Sequence, residues 1–233
     1  HSALGFCGRH VMHGQTNQEG FAMYRPKNSA IDDPNVLSAA IDQIGFGALV
    51  TFVDGAFETT YLPVVVKQTD TGFAIEAHCA RANPHWKIAG QGTSMFMFQG
   101  PHAYVAGGLY PSKNDDGKVV PTWNYIVVHA HGALQAISDG DWLHTHLNEL
   151  TDKNEAGRAE PWAVSDAPVA YVAALKRGIV GLRMEVSKFE GRWKLEQNAS
   201  PKNRAGLVAG LSQEGDMARD LAEALHSFPQ PDD

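Results

Sequence analysis

The sequence is poor in three features that would each mark a particular class of protein. Only two of its 233 residues are cysteines, Cys7 and Cys79, which argues against a disulfide-rich secreted scaffold and for a reducing compartment. No stretch approaches the run of about 18 apolar residues that a membrane-spanning helix needs. The first residues also lack the basic and apolar segments of a signal peptide. We therefore expect a cytoplasmic protein with no membrane partner.

Basic residues are also in short supply. The chain has 19 Lys and Arg against 26 Asp and Glu, a net charge of −7, and its densest basic cluster is only Lys176-Arg177. A protein that grips a phosphate backbone normally presents a basic face. DNA remains a possible partner on this sequence, but the charge does not support it.

Familiar catalytic and metal-binding motifs are missing as well. The sequence has no P-loop, G-x-G-x-x-G, G-x-S-x-G or H-E-x-x-H, so classical hydrolase and nucleoside triphosphatase functions lack support. His129 and His131 share one face of a predicted strand, but a zinc site needs three or four convergent ligands. We predict no metal site; the alternative, a site made by Cys7, His10 and His13, is disfavoured.

Short segments with strand periodicity dominate the rest of the chain, and helices interrupt them. An Asp-Gly turn at 54–55 separates apolar runs at 46–54 and 57–66, which predicts a hairpin. Asp33-Pro34 predicts a capped helix start, and further helices are expected at 139–152, after 165–168 with Ser165 or Asp166 as the cap, and at 213–227, where Met217, Leu221 and Leu225 share one face. Strands are also expected at 93–100 and 103–107. Because tight turns join antiparallel strands, we predict a mainly β fold of six or seven strands, an antiparallel barrel.

The segment ARANPHWK (80–87) is the first candidate for a binding site. Arg81 offers a planar fork of donors that suits a phosphate, and Asn83 is able to donate to an anion or to cap a helix. Pro84 then begins the helix, whose free N–H groups would point toward the same anion. In the alternative interpretation, Asn83 only caps the helix and Arg81 is a surface residue.

The segment PTWNY (121–125) is the second candidate. Trp123 and Tyr125 share one strand face, while Thr122 and Asn124 lie on the other. An aromatic residue with an amide nearby suits a heteroaromatic ring that needs stacking and hydrogen bonding. The alternative is an aromatic pair in the core or in a dimer interface.

Two weaker candidates lie elsewhere. In FEGRWKLEQN (189–198), Lys194 is a possible partner for a phosphate or a ring oxygen, and Gln197 ends the same strand. A solvated strand edge is the alternative there. His102 lies in a turn between predicted strands, where functional residues are often found. A lone histidine in a loop, however, more often has no specific role.

Several of these segments together resemble one family, the PaiB-like FMN-binding negative transcriptional regulators. The resemblance spans residues 23 to about 211; His131 and the acidic C-terminal tail fall outside its pattern. The matching segments are MYRP (23–26), ARANPHW (80–86), FQGPHAYV (98–105), YPSK (110–113), VVPTWNY with His129 (119–129), TDKNEAGRAEPWAVSDAP (151–168) and GRWKLEQN (191–198).

This resemblance implies a flavin-binding split β-barrel that forms a homodimer, with FMN at the subunit interface. It places Arg81 and Asn83 on the phosphate and brings Thr122, Trp123 and Asn124 to the ring or the ribityl chain. Lys194 and Gln197 would complete the pocket, and Trp86, in the phosphate motif, is included among the cofactor-binding residues. The catalytic residues, if any exist, remain unknown.

Domain organisation and function follow as expectations. We expect an irregular extension at 1–22, a split-barrel domain at 23–211, and a C-terminal helix and tail at 212–233. The resemblance implies a flavoprotein that regulates expression indirectly rather than by reading DNA. Two alternatives stay open: an FMN-dependent oxidoreductase, which rests on analogy of fold, and a haem- or metal-binding protein that uses His102, His129 or His131.

Overall fold

The computed structural model describes residues 22–227. Except for Ala22, the predicted extension lies outside the described residues, and so does the alternative metal site at Cys7, His10 and His13. The strands are β1 (Ala30–Ile31), β2 (Phe46–Val53), β3 (Ala56–Pro63), β4 (Val65–Thr69), β5 (Gly72–Ala80), β6 (Thr93–Val105), β7 (Thr122–Ile137) and β8 (Ile179–Lys194). The helices are α1 (Pro34–Ile44), α2 (Gly140–Glu155), α3 (Val169–Arg177), α4 (Pro201–Leu211) and α5 (Asp216–Ser227).

All strand pairs are antiparallel, which confirms the predicted sheet type. The order across the sheet is β3-β2-β6-β7-β8-β5-β4, and β1 pairs with β8. The two edge strands, β3 and β4, are consecutive in the chain and only Val64 separates them. The sheet must therefore roll until its edges approach each other at this corner, although it does not close. The result is the expected split barrel.

Local sequence signals account for the first helix and the first hairpin. The Asp33 carboxylate accepts a hydrogen bond of 2.8 Å from the backbone N–H of Asn35, and Gly45 ends α1 with a φ of 68°. Asp54 and Gly55 both have positive φ, 50° and 80°, which is the backbone twist that a tight two-residue hairpin requires. Both predictions are confirmed.

Three details differ from the sequence-based expectations. The strand expected at 57–66 is divided at Val64, and the runs expected at 93–100 and 103–107 form the single strand β6, with a register shift between Gln99 and His102. At the start of α3 neither Ser165 nor Asp166 is the cap: Pro168 takes that position, and a short 3-10 turn at Val164–Asp166 precedes it.

Helix α4 was not predicted from the sequence. Its glycines hide the usual apolar periodicity, yet they are needed for packing. A Cβ at Gly206 would lie 2.5 Å from Pro111 Cδ, and one at Gly210 would lie 2.4 Å from Leu109 Cδ2. The helix thus packs directly on the 107–114 connection that leads into β7.

Side chains alternate between the interior and the outer face of the barrel. Along β7, Asn124, Ile126, Val128 and Ala130 are buried, whereas the odd-numbered side chains face outward. The C-terminal helix α5 belongs to the same core, because Leu221 and Leu225 are fully buried within it. Met217, expected on that buried face, is 51% exposed. Within residues 22–227, none of the helices is both long and apolar enough to cross a membrane.

Candidate functional site

The start of β7 exposes an aromatic residue on the outer face of the barrel. Trp123 is 55% exposed, although it lies in the middle of a sheet. Its indole contacts the rings of His102 and Tyr104 on β6, at centroid distances of 6.3 and 6.1 Å. An exposed indole that neighbouring rings support is well suited to stack against a flat ligand.

Two cations of β8 lie on the same face, Lys194 next to this tryptophan and Arg192 further along the strand, opposite Val127. Lys194 Nζ donates to Thr122 Oγ1 at 2.5 Å and to the backbone carbonyl of Trp123 at 2.6 Å. Arg192 lies over the ring of Tyr125, with its Cζ 5.3 Å from the ring centroid. Trp123, Tyr125, Arg192 and Lys194 are hereafter called the aromatic–cation strip. It presents stacking surfaces and positive charge together, a combination that suits an anionic aromatic ligand.

Asn124 and Gln197, which were expected at the ligand, are both buried. Asn124 is fully buried in the barrel, and neither atom of its amide group has a hydrogen-bond partner among the described residues. An unpartnered buried amide costs free energy, so it marks a place where a polar ligand atom would be stabilising. Gln197 is also buried; it binds the backbone at Trp193 and Leu195 and thereby fixes the end of β8.

The other candidate segment follows β5, and internal contacts hold its arginine. Arg81 donates from Nε to the carbonyl of Arg177 at 2.9 Å and from Nη2 to the carbonyl of Ile179 at 3.0 Å. The guanidinium remains exposed, with its Cζ 5.9 Å from the ring centroid of Trp86. Trp86 in turn donates from Nε1 to the carbonyl of Arg81 at 3.0 Å. Arg81 thus joins the start of β8 to this loop while its outer edge faces solvent.

The helix expected after Asn83 is a single 3-10 turn, Pro84–Ile88. The Asn83 side chain accepts from the N–H of His85 at 2.9 Å and donates to Thr60 Oγ1 at 3.0 Å. The amide therefore performs the capping role that the alternative interpretation gave it. His85, fully buried, bonds Thr51 and Thr60, and burial lowers its pKa. This network anchors the loop, and the cap occupies the N–H of His85, one of the groups that were expected to bind an anion.

The two candidate segments lie at opposite ends of one strand ladder. Thr122 begins β7 and Lys194 ends β8, whereas Arg81 follows Ala80, which pairs with Ile179 at the other end of β8. The ladder between them has 16 residues in each strand, a contour length of about 50 Å at ~3.3 Å per residue. One chain therefore does not bring Arg81 and Asn83 together with Thr122, Trp123 and Lys194.

Arg192 and Glu190 were not predicted as site residues, because their place beside Tyr125 and His129 depends on which strand lies next to β7. Glu190 is opposite His129 in the β7–β8 register and is completely buried. Burial alone would raise the pKa of Glu190, but hydrogen bonds from Lys188 and His131 hold it below its usual value. Burial, together with the neighbouring His131, lowers the pKa of His129.

Comparison with known proteins assigns the family. The family model described as "Putative FMN-binding domain" matches residues 23–188, well over half of the chain. The chain belongs to this FMN-binding family. It is also 29% identical over 205 residues to "Protease synthase and sporulation protein PAI 2" of Bacillus subtilis, an alignment that covers 87% of this chain and 96% of the relative. The resemblance seen in the sequence motifs is thereby confirmed, and FMN is the cofactor that the family assignment supports.

Solved structures confirm the fold. The flavocytochrome Anf3 from Azotobacter vinelandii superposes with a TM-score of 0.51 at 12% identity and covers 70% of this chain and 68% of its own. The FAD and heme binding protein from Mycobacterium smegmatis gives a TM-score of 0.52 at 14% identity, covering 71% and 73%. At these identities the likeness concerns the arrangement of strands alone.

Proposed function

We propose that the chain works as a homodimeric flavoprotein in which each FMN lies between the Arg81 end of one subunit and the aromatic–cation strip of the other. The observation that carries this proposal is the placement of the two halves at opposite ends of the β7–β8 ladder. A second copy, related by a two-fold axis, would bring opposite ends together and create two equal sites.

An exposed apolar face on the barrel supports the second copy. Large side chains on the outer face of β2 and β3 are open to solvent: Phe46, Phe52, Phe57 and Tyr61 are between 44% and 72% exposed. Register places Met97 of β6, itself 39% exposed, next to them. Contiguous apolar patches of this kind are uncommon on monomers and usually mark an interface. This outer face is hereafter called the aromatic face.

The chemistry of the two halves fits FMN. Arg81 would provide charged hydrogen bonds to the phosphate, while Trp123 and Tyr125 of the other subunit would stack against the isoalloxazine ring. Lys194 would bind an anionic or carbonyl oxygen of the cofactor. FMN, once bound, supplies a ring that accepts one or two electrons. The chain's own residues orient that ring and exclude water from its edge.

For the biological role, we propose regulation that acts through the flavin or a protein partner rather than through contact with DNA. The name of the Bacillus subtilis relative connects that protein with protease synthesis and sporulation. The net charge of −7 disfavours direct binding to DNA. NAD(P)H-dependent turnover of bound FMN, together with no effect of the protein on gene expression in its host, would favour the oxidoreductase alternative instead.

A titration of flavin-free protein with FMN tests the site. We expect quenching of flavin fluorescence with one FMN per chain, and about tenfold weaker binding in Trp123→Ala, since stacking on the indole contributes ~0.5–1.5 kcal/mol beyond the apolar area that it buries. Trp162→Ala is the matched control, because Trp162 is 48% exposed but lies outside the strip. No FMN uptake by the wild-type chain, or equal affinity in both variants, would contradict the proposed site.

A further inference from the structure

The β7–β8 register assembles a cluster that neither strand reveals by itself. His129 and His131 point to the outer face of β7, and Glu190 lies directly opposite His129 on β8. The two imidazole rings are 6.3 Å apart and nearly perpendicular. One ligand atom from each of the three residues lies within 4.8 Å of the other two. His129, His131 and Glu190 therefore converge on one small volume.

The distances between these ligand atoms are close to the distances between the ligand atoms of one bound metal ion. Bonds of about 2.0–2.2 Å to a tetrahedral zinc ion place its ligand atoms about 3.4 Å from each other. His131 Nε2 and Glu190 Oε2 are already 2.9 Å apart. Only small side-chain rotations are therefore needed for all three ligands to reach one ion.

The surroundings of Glu190 hold one oxygen of the carboxylate and leave the other for the cluster. Lys188 Nζ lies 2.9 Å from Oε1, and Arg25 Nε lies 4.0 Å from the same atom. Oε2 contacts His131 and, at 3.5 Å, the N–H of Met23. Lys188 and Arg25 thus orient the carboxylate as outer partners do in metal sites. Their positive charge also opposes a cation, so the affinity depends on how well the three ligands converge.

We propose that His129, His131 and Glu190 form a binding site for one borderline divalent transition metal ion of the zinc class. Two imidazoles and a carboxylate suit such an ion, and three protein ligands leave a fourth position for water or a small ligand. The proposal departs from the expectation of no metal site, which was based on two histidines without a third ligand. The metal site does not depend on the proposed FMN site, which needs two subunits, because all three metal ligands belong to one chain.

The test is titration of flavin-free protein with Zn²⁺ by calorimetry, and with Co²⁺ by visible absorption. All titrations use a full-length background in which His1→Ala, Cys7→Ser, His10→Ala and His13→Ala remove other ligands near the N-terminus. We expect one equivalent of metal per chain and the visible absorption bands of four-coordinate Co²⁺. In this background His129→Ala or His131→Ala should weaken binding at least tenfold.

Two further variants separate metal ligation from simple stability. Glu190→Gln removes the anionic ligand and should also weaken binding at least tenfold; circular dichroism checks that the variant is folded. His144→Ala removes an exposed histidine of α2 and should leave the affinity unchanged. Absence of stoichiometric metal in the background protein would overturn the proposal, as would full affinity in a folded His129→Ala variant.

Discussion

The two ends of the β7–β8 ladder differ in whether their side chains are bonded within the chain or left open to solvent. At the Arg81 end, Arg81 and Asn83 bond groups of their own chain and fix the junction between β5 and β8. At the other end, Trp123 and Tyr104 remain half exposed, although both lie within a sheet. At the Arg81 end the ring of Trp86 is already covered by Arg81 and Lys87, whereas the ring of Trp123 at the other end is open to solvent. This difference is the basis for our proposal that each end supplies half of one site.

The largest expected effect comes from preventing the two ends of different subunits from meeting. Tyr61→Glu places a charge on the aromatic face, where Tyr61 is 67% exposed and stacks on Phe46. We expect monomers in sedimentation experiments and a loss of FMN affinity of at least 100-fold, because both half-sites lose their partner. Tyr171→Glu on α3, at a residue 58% exposed, is the control and should remain dimeric. A monomeric variant that keeps its FMN affinity would refute a site shared between subunits.

A smaller effect is expected from changing only the anchored end. Arg81→Ala removes the guanidinium proposed to bind the phosphate and should weaken FMN binding by about 1.5–3 kcal/mol, as for a hydrogen bond to a charged group. Riboflavin, which has no phosphate, should bind the variant and the wild type equally. Equal losses for both ligands would assign Arg81 a structural role, through the carbonyls of Arg177 and Ile179, rather than a role at the phosphate.

We expect low pH to lower the stability of the Arg81 end more than that of the Trp123 end. His146 of α2 is buried against Trp142 and bonds His78 of β5 at 3.1 Å; burial lowers the pKa of His146 to about 4. An unfolded histidine has a pKa of about 6.5, so the unfolded chain binds more protons between these two values. Stability is therefore fully present above pH 6.5 and falls as the pH drops toward 4, by up to about 3 kcal/mol at ~1.4 kcal/mol per pKa unit.

Urea unfolding between pH 7 and pH 4.5 measures this loss. His146→Gln should flatten the dependence of unfolding free energy on pH, whereas His144→Gln, at an exposed position of the same helix, should keep it. Hydrogen exchange at pH 5 should show faster opening around β5 and α2 than around Trp123. An unchanged pH slope in His146→Gln would show that other groups cause the acid sensitivity.

The sequence predicted those parts of the fold whose causes are local. Asp33 capping α1 and the Asp54-Gly55 turn depend on neighbouring residues, and both were found. Helix α4 was missed because Gly206 and Gly210 serve contacts with Leu109 and Pro111, which are far away in sequence. The site was predicted as two motifs, but their separation and the position of Glu190 beside His129 depend on strand order and register. Neither strand order nor register can be predicted from a single stretch of the chain.

Mixing two defective chains tests the shared site most directly. Arg81→Ala damages one half-site and Lys194→Ala the other, and the two chains, carrying different tags, are refolded together in equal amounts. Random pairing makes half of the dimers hybrids, each with one intact site of two, so roughly a quarter of all sites should regain wild-type affinity for FMN. No recovery in purified hybrid dimers would mean that Arg81 and Lys194 do not meet across the subunits, and the proposal would be wrong.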